Sequence, residues 1–242
     1  MTVYTIDPRR TALLVIDVQK EYFKKGGPAY LPAARNVLGN IQKLIEAARG
    51  AKALIVYAQH MNRADGSDAG RMADFSDPNG AASFVEGSPE VELVDELSPR
   101  PGEVVFRKRR YSCFLNTELE CVLHTRDVDT IVIAGYMTSF CCETTARDAH
   151  GRDYRVLFVR DANEGPDLAG PDGKVINHAM VLKNTLTALG NGIAEIVSSD
   201  EVAERLGKGQ QKLDEAPTPR QAEAEQTASL SRAPAPGRGR QH

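Results

Sequence analysis

Residues 130–135 read Thr-Ile-Val-Ile-Ala-Gly, and residues 136–142 continue Tyr-Met-Thr-Ser-Phe-Cys-Cys. The first stretch is a continuous apolar run rather than an alternation, the pattern of a strand covered on both faces. Four further runs share it: residues 12–17 (ALLVID), 53–58 (ALIVYA), 104–107 and 155–160 (RVLFVR), with a weaker sixth at 192–197. Helical patterns lie between them. Residues 32–49 place Val37, Ile41, Leu44, Ile45 and Ala48 near one face. Thr117-Glu118-Leu119-Glu120 is a capping box opening a helix to about His124. A helix is expected from near Cys141 to about Gly151, another over 174–189, and a capping box at Ser198-Ser199-Asp200-Glu201 opens a short last one to about Leu206. Strands alternating with helices predict an α/β fold with a mainly parallel sheet covered on both faces, in one domain over residues 1–206. Residues 62–102, rich in Gly, Ser, Asp and Pro, read as a long excursion near the rim of the site.

The composition narrows the function. A net charge of −3 over 242 residues gives no electrostatic reason to expect nucleic acid or a membrane as partner. No apolar stretch reaches the roughly 18 residues of a membrane span. The first seven residues lack a basic start followed by an apolar run, so no signal peptide is read there. The cysteines Cys113, Cys121, Cys141 and Cys142 show no zinc-ribbon spacing, and a chain with a core of this size needs no disulfide framework. Reduced thiols and a cytoplasmic location are expected. After Leu206 large apolar residues almost vanish. Residues 207–242 are therefore expected to be a polar tail, disordered or docked on a neighbouring subunit.

Ligands of an open parallel sheet bind outside the carboxyl ends of its strands. Asp17 ends the first run, Lys108 follows the third, and Cys141 follows the fourth, so an acid, a cation and a thiol meet at one edge. Near a helix N-terminus and a lysine, Cys141 is expected to have a lowered pKa. Asp17 can take the thiol proton and return it to a leaving amine. Backbone N–H groups of the 135–141 turn can face an oxyanion. Cys142 is the competitor: about 100° of helical rotation separates the two thiols, and periodicity alone does not choose. The basic run Arg107–Arg110 reads either as a holder of an anionic substrate or as a solvated loop.

At these residues the chain resembles the isochorismatase-like cysteine hydrolases, a group that includes nicotinamidases, N-carbamoylsarcosine amidase and ureidoacrylate amidohydrolases. Three blocks carry the resemblance: 14–19 (LVIDVQ) with Tyr22 and Phe23, 108–114 (KRRYSCF) with Thr117 and Leu119, and 134–149 (AGYMTSFCCETTARDA). The resemblance implies a three-layer α/β/α fold with strand order 3-2-1-4-5-6 and a homo-oligomer, dimer or tetramer. It implies Cys141 as nucleophile, Asp17 as acid–base and Lys108 as the cation. It further implies a cis peptide between Tyr136 and Met137, with the N–H groups of Met137 and Cys141 as oxyanion hole. Gln19, Tyr22, Phe23, His60, Tyr111 and Tyr136 are the candidate substrate-binding residues. Glu21 stands where the family usually has an acid after the glutamine. Nicotinamidases bind a metal through an Asp-x-His pair and a second His. Here the second strand ends Tyr57-Ala58-Gln59-His60, so neither a metal nor another cofactor is expected. The implied activity is hydrolysis of a C–N bond in a small amide, carbamoyl or ureido compound. Vinyl-ether hydrolysis and a non-catalytic binding role are the alternatives.

Overall fold

The computed structural model describes residues 4–75 and 82–215. Six strands form one parallel sheet: β1 (Thr11–Ile16), β2 (Leu54–His60), β3 (Val104–Lys108), β4 (Thr130–Tyr136), β5 (Arg155–Glu164) and β8 (Glu195–Val197). Their spatial order is β3-β2-β1-β4-β5-β8, with every neighbouring pair parallel. This is the expected order. The two-residue strands β6 (Leu168–Ala169) and β7 (Val175–Ile176) form a separate antiparallel hairpin before the sixth sheet strand. The helices are α1 (Ala34–Gly50), α2 (Leu119–Thr125), α3 (Glu143–His150), α4 (His178–Gly190) and α5 (Ser199–Glu215).

Strand periodicity divides the core into two layers. Leu13, Val15, Ile55, Tyr57, Val132, Ala134, Leu157 and Val159 pack with Ile41, Leu44 and Ile45 of α1 and with Val202 and Leu206 of α5. Leu14, Ile16, Val56, Ala58, Phe106, Ile131, Ile133 and Phe158 pack with Leu119 and Leu123 of α2, Ala146 and Ala149 of α3 and Leu189 of α4. Each fully buried aliphatic side chain contributes about 1.5–3 kcal/mol. The two-sided burial explains why these strands read as unbroken apolar runs.

Three element boundaries differ from expectation. The helix expected from Lys174 starts at His178, because Val175 and Ile176 are drawn into the hairpin and Asn177 caps the helix, accepting from Met180 N at 2.9 Å. β5 continues past Arg160 to Glu164 through an irregularity opposite Ile133–Gly135. There the Asn163 amide donates to Ile133 O (3.1 Å) and Val159 O (2.6 Å), replacing ladder bonds that the irregularity removes. The last helix does not stop near Leu206. Its capping box forms as expected: Ser198 N donates to Glu201 (2.6 Å) and Glu201 N donates to Ser198 Oγ (3.2 Å). The helix then continues to Glu215, because Gly209 brings its backbone against Ile6 and Pro8. The compact unit spans 1–210, and the described part of the second unit, 211–215, is helical. The rest of the expected tail lies outside the described residues.

Candidate active site

The carboxyl ends of β1, β3 and β4 bring three sequence-distant residues together. Asp17 follows β1 with φ of 53°, a left-handed turn that Asp tolerates better than most residues. Its N–H still donates to Ala58 O at 3.0 Å, so the turn is held to β2. Lys108 is the last residue of β3, two strands away, and its stem crosses the end of β2. Its ammonium lies 2.8 Å from Asp17 Oδ2, 3.1 Å from Cys141 Sγ and 3.1 Å from Arg110 O. The ammonium donates hydrogen bonds to the Cys141 sulfur and the Arg110 carbonyl, and it pairs with Asp17 by charge. All three side chains are buried.

Cys141 sits in a single π turn, Thr138–Cys142, that leads into α3. The turn follows a cis peptide between Tyr136 and Met137. Within it Cys142 N donates to Met137 O at 3.3 Å. Gly135, just upstream, has φ of 133°, and a Cβ there would lie 2.1 Å from Ile16 O. Only glycine lets β4 come this close to the end of β1. Both adjacent thiols are buried in the same core layer, and Cys141 is the one that lies 3.1 Å from the Lys108 ammonium.

The chain matches the isochorismatase domain over residues 11–188. It belongs to the isochorismatase family. That is a family of hydrolases. Among solved structures it is similar to a cysteine hydrolase from Pseudomonas syringae pv. phaseolicola, with 37% identity and a TM-score of 0.82 over 86% of this chain and 97% of that one. It is also similar to an isochorismatase family protein from Desulfovibrio vulgaris (30% identity, TM-score 0.70, 82% of this chain and 99% of that one). A third is N-carbamoylsarcosine amidase from Thermoplasma acidophilum (28% identity, TM-score 0.63, 79% and 97%).

The electrostatics of this isochorismatase-family site correct one expectation. Burial pushes the Cys141 thiol well above its ordinary 9.0; Lys108 opposes the shift, and the charge of Asp17 adds to it. The expected lowering by Lys108 and the helix terminus is overridden by desolvation. Burial also raises Asp17, against the pull of Lys108. Burial alone would lower Lys108, but Asp17, Cys141 and Cys113 together hold it above its ordinary value. Burial thus works against the charged forms of both Cys141 and Asp17, and Lys108 opposes it at each.

The other candidate residues divide by what they touch. Gln19 is fully committed to backbone: its amide donates to His60 O (2.8 Å) and Val91 O (2.7 Å) and accepts from His60 N (2.9 Å). Through Val91 it pins the 62–102 excursion to the sheet end, and it has no donor left for a substrate. Glu21 accepts from Phe84 N at 3.4 Å and ties the same excursion down. The Tyr136 hydroxyl donates to Ala34 O at 2.6 Å, so it holds α1 instead of facing a substrate. Tyr22 is buried between Phe84 and Tyr136, with ring centroids 5.2 and 5.4 Å apart. Phe23 lies 6.0 Å from Tyr136 beneath the Arg35 guanidinium, and Tyr111 lies 5.6 Å from Phe140. His60 is buried against Phe84 at 5.3 Å.

The basic run is not a free anion holder. Arg107 pairs with Glu86 (2.9 Å), and Arg109 pairs with Asp68 (2.7 Å) and Glu86 (3.1 Å) while donating to Met61 O. Arg110 donates to Asp68 O at 2.7 Å. These arginines fasten the excursion. Among the described residues no group of three His, Cys, Asp or Glu side chains is placed to hold a metal. Sequence reading missed Asn62, Phe84 and Asn163. Asn62 carried a weak signal, a polar residue two positions after His60; Phe84 sits in a loop of no periodicity.

Proposed function

We propose that the protein is a cysteine-dependent amidohydrolase that cleaves a C–N bond of a small amide, carbamoyl or ureido compound through a thioester. One observation carries the reading: a single buried lysine contacts both the Asp17 carboxylate and the Cys141 sulfur. The similarity to an amidase supports it. Because the thiol is held protonated, attack must be coupled to proton removal. Asp17 takes the Sγ proton as sulfur bonds to the carbonyl carbon. The N–H groups of Met137 and Cys141 receive the oxyanion. The C–N bond then breaks, and Asp17 returns its proton to the leaving ammonia or amine. Water, deprotonated by Asp17, attacks the thioester; the C–S bond breaks, and the sulfur recovers the proton. Lys108 stays paired with Asp17 as the carboxyl group gains and loses its proton, and the three groups titrate as a unit.

The test is ammonia release from a panel of small amides, carbamoyl amino acids and ureides. Cys141→Ala is expected to abolish turnover, while Cys142→Ala retains most of it. A vinyl-ether hydrolase would survive Cys141→Ala, and loss of turnover in Cys142→Ala alone would move the nucleophile.

A further inference from the structure

We propose that His60 and Asn62 form a neutral donor–acceptor pair that holds a second carboxamide or ureido group of the substrate, so that the site favours uncharged amides over their carboxylate counterparts. The proposal rests on the amidohydrolase reading and adds the chemical class of the group beyond the scissile bond.

The placement comes from sheet register. His60 is paired with Lys108 across β2 and β3. Paired residues on adjacent parallel strands project to the same face, and Lys108 reaches Cys141 at 3.1 Å. The His60 ring also begins an aromatic wall: it meets Phe84 (5.3 Å), which meets Tyr22 (5.2 Å), which meets Tyr136 (5.4 Å) beside Met137. The wall therefore runs from His60 to the turn that carries Cys141.

Two polar atoms in this corner have no protein partner. They are Nδ1 of His60, a residue only 4% exposed, and Oδ1 of Asn62. Such buried orphans are uncommon in folded proteins. The Asn62 amide nitrogen lies 3.5 Å from His60 Nε2. Burial, reinforced by Lys108, Arg109 and Arg110, holds the imidazole well below its ordinary pKa, so the ring is neutral. With Nε2 accepting from Asn62, the single ring proton is on Nδ1. What remains is one donor and one acceptor, both uncharged. A carboxamide or ureido group carries a C=O and an N–H side by side and satisfies both. A carboxylate offers only acceptors and sets an oxygen against Asn62 Oδ1. The nearby Arg107 and Arg109 are already paired with Glu86 and Asp68.

The experiment measures binding to the Cys141→Ala protein by calorimetry, so that turnover does not interfere. The probes are N-carbamoylglycinamide and N-carbamoylglycine, which share the ureido end and differ only in amide against carboxylate. The amide is expected to bind at least about ten-fold more tightly, and Asn62→Leu in the same background should bring the two within about two-fold. If Asn62→Leu does not fold, Asn62→Ser carries the same comparison. Equal affinities, tighter binding of the acid, no binding of either probe, or a preference that survives loss of Asn62 overturns the pair. Ammonia release by the unmodified enzyme reports separately on the chemistry. Turnover without amide preference removes this proposal alone; amide preference without turnover of any amide removes the amidohydrolase reading and leaves the binding pair standing.

Discussion

Lys108 pairs with Asp17 and donates to Cys141 and Arg110, and this sets how each residue should respond to change. Since the Cys141 thiol is raised, its alkylation by iodoacetamide should keep accelerating beyond pH 9 rather than level off near neutrality. A plateau near pH 7 would show a resting thiolate. Asp17→Asn removes a negative charge that raises the thiol, so alkylation near pH 8 should become faster. Turnover should nevertheless fall by about 10²-fold or more, because the base and proton donor are lost. Parallel loss of labelling and turnover would instead indicate a collapsed site. Lys108→Met leaves Asp17 buried and unpaired and should cost roughly 3–5 kcal/mol in urea unfolding. Adding Asp17→Asn should recover part of that cost; strict additivity of the two losses would contradict the ion pair.

Helix α5 holds two glycines that should respond to alanine with opposite signs. At Gly207 a Cβ meets nothing within 4 Å, so Gly207→Ala should gain roughly 0.5–1 kcal/mol from helix propensity. At Gly209 a Cβ would lie 2.6 Å from Ile6 O and 2.8 Å from Pro8 Cδ, and backbone cannot swing away as a side chain can. Gly209→Ala should therefore cost about 1–3 kcal/mol despite the same propensity gain. Thermal melts of the two variants decide it. Two stabilising substitutions would mean that the helix beyond Leu206 does not pack on the N-terminal segment. The excursion after β2 is likewise an element held by its contacts: Gln19 and Glu21 fasten it from β1, and Arg107 and Arg109 from β3.

Over the whole molecule, three buried thiols link stability to pH. Cys113 is pushed up to about 12, and Cys141 and Cys142 well above 9.0, with burial the first cause in each case. Between about pH 9 and 10 the unfolded chain releases these thiol protons while the folded chain keeps them. The unfolded state then binds fewer protons, so stability falls as pH rises, by at most about 1.4 kcal/mol per pH unit for each thiol. Below pH 8 both states hold the protons and this contribution is flat. Urea titrations at pH 8, 9 and 10 should show the decline, and Cys142→Ala should make it shallower. An unchanged midpoint across that range would mean that the thiols titrate normally in the fold.

The sequence by itself determined the sheet and the meeting of Asp17, Lys108 and Cys141 at its carboxyl edge. Continuous apolar runs reflect burial on both faces, and residues that directly follow parallel strands share one edge whatever lies between them. The strand order and the cis Tyr136–Met137 peptide were legible only through resemblance. Tertiary structure decided what depends on contacts between distant segments. It brought Cys141 to Lys108, because the path of the π turn determines which thiol meets the ammonium. It reversed the expected direction of the Cys141 pKa, because desolvation depends on everything packed around the sulfur. It committed Gln19 and Tyr136 to backbone partners, paired arginines of a run whose role the sequence left open, and carried α5 past a compositional break with a close approach at Gly209. A residue type states what bonds it can make; only the folded chain determines which of them are already taken.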